Sequence, residues 1–207
     1  LTDEDLYLDY EYQGNPLFSK HTTMFIGPPQ GAKSLTAIYL SVCTAGYKDF
    51  LGYVTRPGHV TYLCNEHGAD ELLDRWTDKL CLGMSIDSSD IPITPLAYKY
   101  KDFTNVSQSK ELLTICQELG TVLLVVDNLG SSIGKENENY THVMQRVFDN
   151  FLMFNDVGIA VVGIHHPNRS GVTRGSTVIE TMADCIYNFE RVSTRPRASI
   201  LSNGEPF

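Results

Sequence analysis

TTMFIGPPQGAKSLTAIYLSVCTA, residues 22–45, places an apolar run, a turn and a helical stretch in immediate succession. Within it GPPQGAKS, residues 27–34, crowds two prolines and two glycines between TTMFI and SLTAIYLSVCTA, and Gly46 then supplies a helix stop. The turn nearly matches GxxxxGK[ST], whose backbone N–H groups and following helix N-terminus converge on phosphate. It departs at one place: Ala32 stands where the second glycine belongs, and Gly31 comes one position early. If the backbone at 32 needs φ > 0, the methyl group costs about 1 kcal/mol or more, unless Gly31 takes the strained angle instead. Lys33 would neutralise the β- and γ-phosphates and the Ser34 hydroxyl would ligate Mg²⁺. ATP and Mg²⁺ are therefore the expected ligands, with Gly27, Pro28, Pro29, Gln30, Gly31, Ala32, Lys33, Ser34 and Leu35 around the nucleotide. A Gly/Pro turn carrying a chance lysine is the alternative, and the surrounding pattern has to decide between them.

That pattern alternates short apolar runs with longer helical ones. HVTYLCNE follows the turn signal RPG, TVLLVVD follows Gly120, GIAVVGIHH opens at Gly158, and ADCIYNFE with RASILSN form a closing pair. Helices are predicted over residues 34–45, 69–82, 107–119 and 140–155, the first three stopping at Gly46, Gly83 and Gly120. TVLLVVD and GIAVVGI are apolar almost throughout, as strands buried on both faces are. The fold class is therefore α/β, three layers with helices on both sides of a mostly parallel central sheet and a closing antiparallel hairpin. Residues 87–106, with two prolines and little periodicity, read as a surface connection.

At 207 residues the chain suits one domain with one sizeable core. We assign residues 1–18, acidic and aromatic, to a flexible or docking leader and residues 19–207 to the domain. No apolar run approaches the roughly 18 residues of a membrane helix, and the N-terminal residues lack the form of a secretory signal; no membrane association and a cytoplasmic location, in the cytosol or nucleoid, are expected. The five cysteines form no CxxC pair, which favours reduced, buried thiols over zinc or redox chemistry. A net charge of −9 argues against a surface that coats nucleic acid as a whole, yet leaves room for a local basic channel. Five of the eight arginines, Arg169, Arg174, Arg191, Arg195 and Arg197, lie beyond His165, where no lysine occurs; arginine suits phosphate held in a set geometry.

Other strand ends supply the remaining chemistry. Asp127 closes TVLLVVD, where α/β folds bind ligands, and a carboxylate there can hold a metal-bound water opposite Ser34. Glu66 closes HVTYLCNE on the same edge if the sheet is parallel, and a carboxylate beside the γ-phosphate can orient and deprotonate water. His165 and His166 close GIAVVGIHH; strand neighbours point to opposite faces, so one suits a γ-phosphate contact and the other a hydrogen-bonded core position. Each acid has a simpler role open to it, as a cap of the turn or helix that follows.

The order of these elements, with NEHGAD after the second strand, DNLGSSIGKENENYTHVMQRVFDNF after TVLLVV, then IHHPNR and TRGSTVIETMADCIYNFER, resembles the RecA-like P-loop ATPases of the replicative hexameric helicase family, DnaB-like and plasmid RepA-type. The resemblance runs from about Thr22 through nearly the whole chain. It implies that Gly27, Gly31, Lys33 and Ser34 bind the nucleotide phosphates, that Glu66 is the catalytic glutamate, Asp127 the Walker B aspartate, and His166 the sensor of the γ-phosphate. It also implies that Arg174, Gly175 and Ser176 contact single-stranded DNA from a channel loop, and that GKEN, residues 134–137, is the other channel-facing loop. Arg195 and Arg197 have the spacing of the family's basic finger, which acts on a neighbouring subunit's site. The implied function is a Mg²⁺-dependent ATPase acting on single-stranded DNA as a homo-oligomer, ring or filament. Two rivals follow from the residues: a nucleotide-dependent switch acting on a protein partner through the acidic leader, and an ATPase that binds nucleotide without turnover, which Glu66 opposes.

Overall fold

The computed structural model describes residues 20–65, 69–97, 102–136, 140–166 and 176–190. Strands and helices alternate along them: β1 (Thr22–Ile26), α1 (Lys33–Ala45), β2 (His59–Cys64), α2 (Ala69–Met84), β3 (Ile93–Ala97), α3 (Val106–Glu118), β4 (Thr121–Asp127), α4 (Thr141–Asp156), β5 (Ala160–His165), α5 (Ser176–Met182) and β6 (Cys185–Asn188). The strands form one sheet in the order β3-β2-β4-β5-β1-β6, and every neighbouring pair is parallel.

Parallel neighbours require crossovers, and the right-handed sense of a crossover decides which face its helix covers. From β1 the chain travels toward β3 through α1 and α2, then returns toward β6 through α3, α4 and α5, so the two sets of helices fall on opposite faces. Alternate residues of each strand divide accordingly. Phe25, Val60, Tyr62, Val125, Val162 and Ile164 pack with α1 and α2, whereas Met24, Leu63, Leu124, Val126 and Val161 pack with α3, α4 and α5. Burial on both sides is why TVLLVVD carries no polar alternation before Asp127. On the second face α4 contributes Phe148, Phe151 and Phe154, and Phe103 meets Phe151 edge-on at 4.9 Å.

Two expectations are corrected. Residues 87–106 hold a strand as well as connections: β3 pairs with β2 at the edge of the sheet. Pro95 has no N–H for a further ladder, which an edge position tolerates, and this proline masks the strand in the sequence. Gly83 does not end α2, which continues to Met84; Ser85 takes the left-handed turn at φ 57°. The end of α2 is held where Ile86 meets Gly46, at which a Cβ would lie 2.7 Å from Ile86 Cδ1. Of the closing pair, ADCIYNFE forms β6, which runs parallel to β1; RASILSN and the leader lie outside the described residues. Cys43, Cys64, Cys81 and Cys116 are buried and Cys185 is half-buried, all as free thiols. Among the described residues no helix is long and apolar enough to cross a membrane.

Candidate active site

Parallel pairing of the described strands brings their C-termini to one rim. Gly27 follows β1, Asn65 follows β2, and Asp127 and His165 end β4 and β5. Ile26 is in register with His165, Cys64 with Asp127, and both Met24 and Val126 with Gly163. Asp127 and the loop after β1 are thus two strand spacings apart, about 10 Å, with β5 between them. The crossover direction reverses across this rim, which is where open α/β sheets bind ligands.

The loop after β1 curls back on itself. Gly27 donates its N–H to His165 O at 3.4 Å and Gly31 donates to Pro28 O at 3.1 Å. Gln30 (φ 60°) and Ala32 (φ 64°) are left-handed, whereas Gly31 between them is not. Ala32 therefore takes the strained angle itself. The sign of φ thus alternates along the turn, and with the Gly31 N–H taken by Pro28 O the groups left to meet an anion are those of the α1 N-terminus. Ala32 is also the N-cap of α1 and brings no side chain to cap it, so the helix N-terminus faces the loop. Lys33, 3% exposed, donates from Nζ to Gly27 O at 2.8 Å and to Pro28 O at 2.7 Å. Both glycines are required by crowding: a Cβ on Gly27 would lie 2.5 Å from Phe189 O, and one on Gly31 would lie 2.9 Å from Pro28 O. Pro28, Pro29, Gln30 and Ala32 are exposed at the crest, and Ser34 and Leu35 are half-buried at its foot.

Asp127 shares a strand face with Leu123 and Val125, the face covered by α1, the helix that Ser34 belongs to. The residue is 2% exposed, and its carboxylate accepts a hydrogen bond at Oδ2 from the Tyr62 hydroxyl at 2.9 Å. Burial foremost, and then the Asp127 charge, hold the Tyr62 phenol well above its ordinary pKa, so it remains a donor. Burial likewise pushes the Cys64 thiol up to about 12, with Asp127, Asp70 and Asp74 adding to the effect, so this cysteine is no competing nucleophile. The Asp127–Asn128 peptide is cis. Asn65 N donates to Asp127 O at 2.8 Å, and Asn65 Nδ2 to Ser132 Oγ at 2.9 Å. Ser132 Oγ in turn donates to Asn128 O at 2.7 Å. The ends of β2 and β4 are stitched together through the 3-10 turn Gly130–Ser132.

Ser34 and Asp127 offer the hard oxygen donors that Mg²⁺ takes, in the small number it needs when substrate phosphates complete its shell. Among the described residues no cluster of three histidine, cysteine or acidic side chains could hold a metal by itself. His165 is buried within the sheet end, on the face of α3, α4 and α5, and His166 follows the strand half-buried. Glu66 lies outside the described residues, immediately after Asn65. Arg174, Gly175, Arg195 and Arg197 also lie outside them, while Ser176 opens α5. Of GKEN, Gly134 is left-handed at φ 63° and Glu136 meets Arg146 of α4 at 3.4 Å; Asn137 lies outside. Sequence reasoning missed Tyr62, Asn65, Ser132 and Phe189. A phenol alternating with Val60 and Cys64 in β2 was the available signal for Tyr62; the others depend on contacts between distant segments.

No curated protein was found to match the chain. A family model described as "AAA domain" matches residues 14–172, well over half of the sequence and all of the rim from β1 to β5. With a glycine-bearing turn between β1 and the N-terminus of α1, a carboxylate two strands away and a parallel sheet of RecA-like P-loop type, the chain belongs to the AAA domain family and is an AAA/P-loop ATPase-type domain.

Proposed function

We propose that this domain is a Mg²⁺-dependent ATPase that couples hydrolysis to translocation along, or remodelling of, single-stranded DNA, with its site completed at a subunit interface. The observation that carries the ATPase part is the α1 N-terminus, uncapped by any side chain, at the end of the turn after β1, with Lys33 folded back into that turn, on the same rim as Asp127. The α1 N-terminus receives the triphosphate. Lys33, bonded to Gly27 and Pro28 carbonyls, turns its charge to the β- and γ-phosphates. Ser34 and Asp127 would hold Mg²⁺, which when bound neutralises charge on the phosphate oxygens. Glu66 orients water and takes its proton, and His166 contacts the γ-phosphate. Arg195 or Arg197 of a neighbouring copy stabilises charge that develops during transfer. Arg174, Gly175 and Ser176 grip the DNA backbone; the concentration of arginines beyond His165 and the resemblance to hexameric helicases support this assignment.

Steady-state ATP hydrolysis with and without single-stranded DNA, over a range of protein and salt concentrations, tests the proposal. Rates that rise with protein concentration and with DNA, the latter less at high salt, are expected. Lys33→Ala abolishes hydrolysis. Arg174→Ala spares basal hydrolysis and removes DNA stimulation; equal stimulation in that variant defeats the channel assignment. The second reading, a nucleotide-dependent switch acting on a protein partner, is favoured by the net charge of −9 and the acidic, aromatic leader LTDEDLYLDYEY. Hydrolysis that depends on protein concentration and is indifferent to DNA selects it.

A further inference from the structure

On the β2 face that packs against α1 and α2, Val60, Tyr62 and Cys64 occupy successive positions, each nearly or wholly buried. A phenylalanine at 62 would fill almost the same volume without burying a hydroxyl. The hydroxyl has a definite partner. Tyr62 is in register with Val125 of β4, and its side chain reaches along the strand to Asp127 Oδ2 at 2.9 Å. The same strand holds the other end of that residue, since Asn65 N donates to Asp127 O at 2.8 Å. Thus β2 grips the backbone and the side chain of Asp127 independently. It then runs directly into Glu66.

We propose that Tyr62 is a positioning residue for the metal end of the site: by donating to Oδ2 it sets the Asp127 carboxylate rotamer and directs Oδ1 to the shell of Mg²⁺. This rests on the ATPase reading. Outer partners that orient a carboxylate govern metal affinity more than nucleotide affinity, because phosphate is held separately, by the loop after β1. A phenol is well suited to the task in an interior strand, since its ring is packed on all sides and its one torsionally free atom is the hydroxyl proton.

The test is Mg²⁺ titration of the full chain with a fluorescent ADP, comparing wild type with Tyr62→Phe, alongside ADP binding in EDTA. The expected result is a rise of about tenfold in the Mg²⁺ concentration for half-saturation, with ADP affinity in EDTA unchanged. An unchanged Mg²⁺ requirement overturns the proposal. So does an equal loss of affinity in EDTA, which would make Tyr62 a packing residue of the loop. If wild type binds no ADP under either condition, the ATPase reading itself fails, an outcome distinct from both. Should Tyr62→Phe not fold, wild type carrying ζ-¹³C tyrosine is titrated with Mn²⁺ and ADP. The Tyr62 resonance must broaden among the first; a sharp Tyr62 signal at Mn²⁺ saturation overturns the assignment.

Discussion

Ala32 sits at φ 64°, ψ 10°, a conformation in which a Cβ is unfavourable by about 1 kcal/mol or more, and it sits there as the N-cap of α1. The strain is local, so its relief is measurable: Ala32→Gly is expected to raise the melting temperature by about 2–4 °C, read by thermal unfolding without ligand. A lower melting temperature would mean that the loop's geometry is not the one described. The neighbouring glycines predict the reverse, because their space is already filled by Phe189 and by Pro28 O. The sequence displayed the conflict at positions 31 and 32 without deciding which residue bore it. That depends on how Lys33 folds back onto the Gly27 and Pro28 carbonyls, a contact that exists only once the turn has closed. Tyr62 was illegible for a similar reason: its partner lies 65 residues away. Lys33, Ser34 and Asp127 were legible because strand-end and helix-start positions follow from local pattern alone.

The opposite edge of the sheet shows how one element is held by its neighbours. His59 at the start of β2 bonds Thr121 Oγ1 of β4 through Nδ1 at 3.0 Å and Thr94 Oγ1 of β3 through Nε2 at 2.8 Å. Thr61 Oγ1 shares a hydrogen bond with Thr121 Oγ1 at 2.8 Å. A neutral imidazole is matched to two hydroxyls, one of which donates and one of which accepts; an imidazolium must donate to both. Burial holds the His59 pKa below its ordinary value. The unfolded chain therefore binds the proton first as pH falls. The stability that His59 contributes is complete above about pH 6.5 and declines from there down to the lower folded pKa. In urea unfolding followed from pH 8 to pH 5, wild type should lose stability across this window relative to His59→Gln. Parallel pH profiles for the two proteins would remove His59 from the account. These contacts also anchor β3, the strand that proline concealed; the helices on either side were readable to within two residues because their apolar spacing and stop signals are local.

For the molecule as a whole, the sheet separates two apolar layers and carries its chemistry at one rim, so ligand and fold should be thermodynamically coupled. A ligand that binds only the native state stabilises it by RT ln(1 + [L]/Kd), about 2.7 kcal/mol at a free concentration 100-fold above Kd. For a chain of this size that is a rise of about 5–10 °C in melting temperature. The loop closes on contacts from β5 and β6, through His165 O and Phe189, and Asp127 is tied to β2. Nucleotide bound there braces five of the six strands, which makes a global shift in melting the expected response. Mg²⁺ and ADP should produce that rise in wild type and in Arg174→Ala, because the arginine is assigned to DNA. In Lys33→Ala the rise should vanish, since the buried ammonium is the charge we propose to meet the phosphates. A shift of the same size in Lys33→Ala would place the nucleotide elsewhere on the protein; no shift in wild type would leave the rim with another ligand.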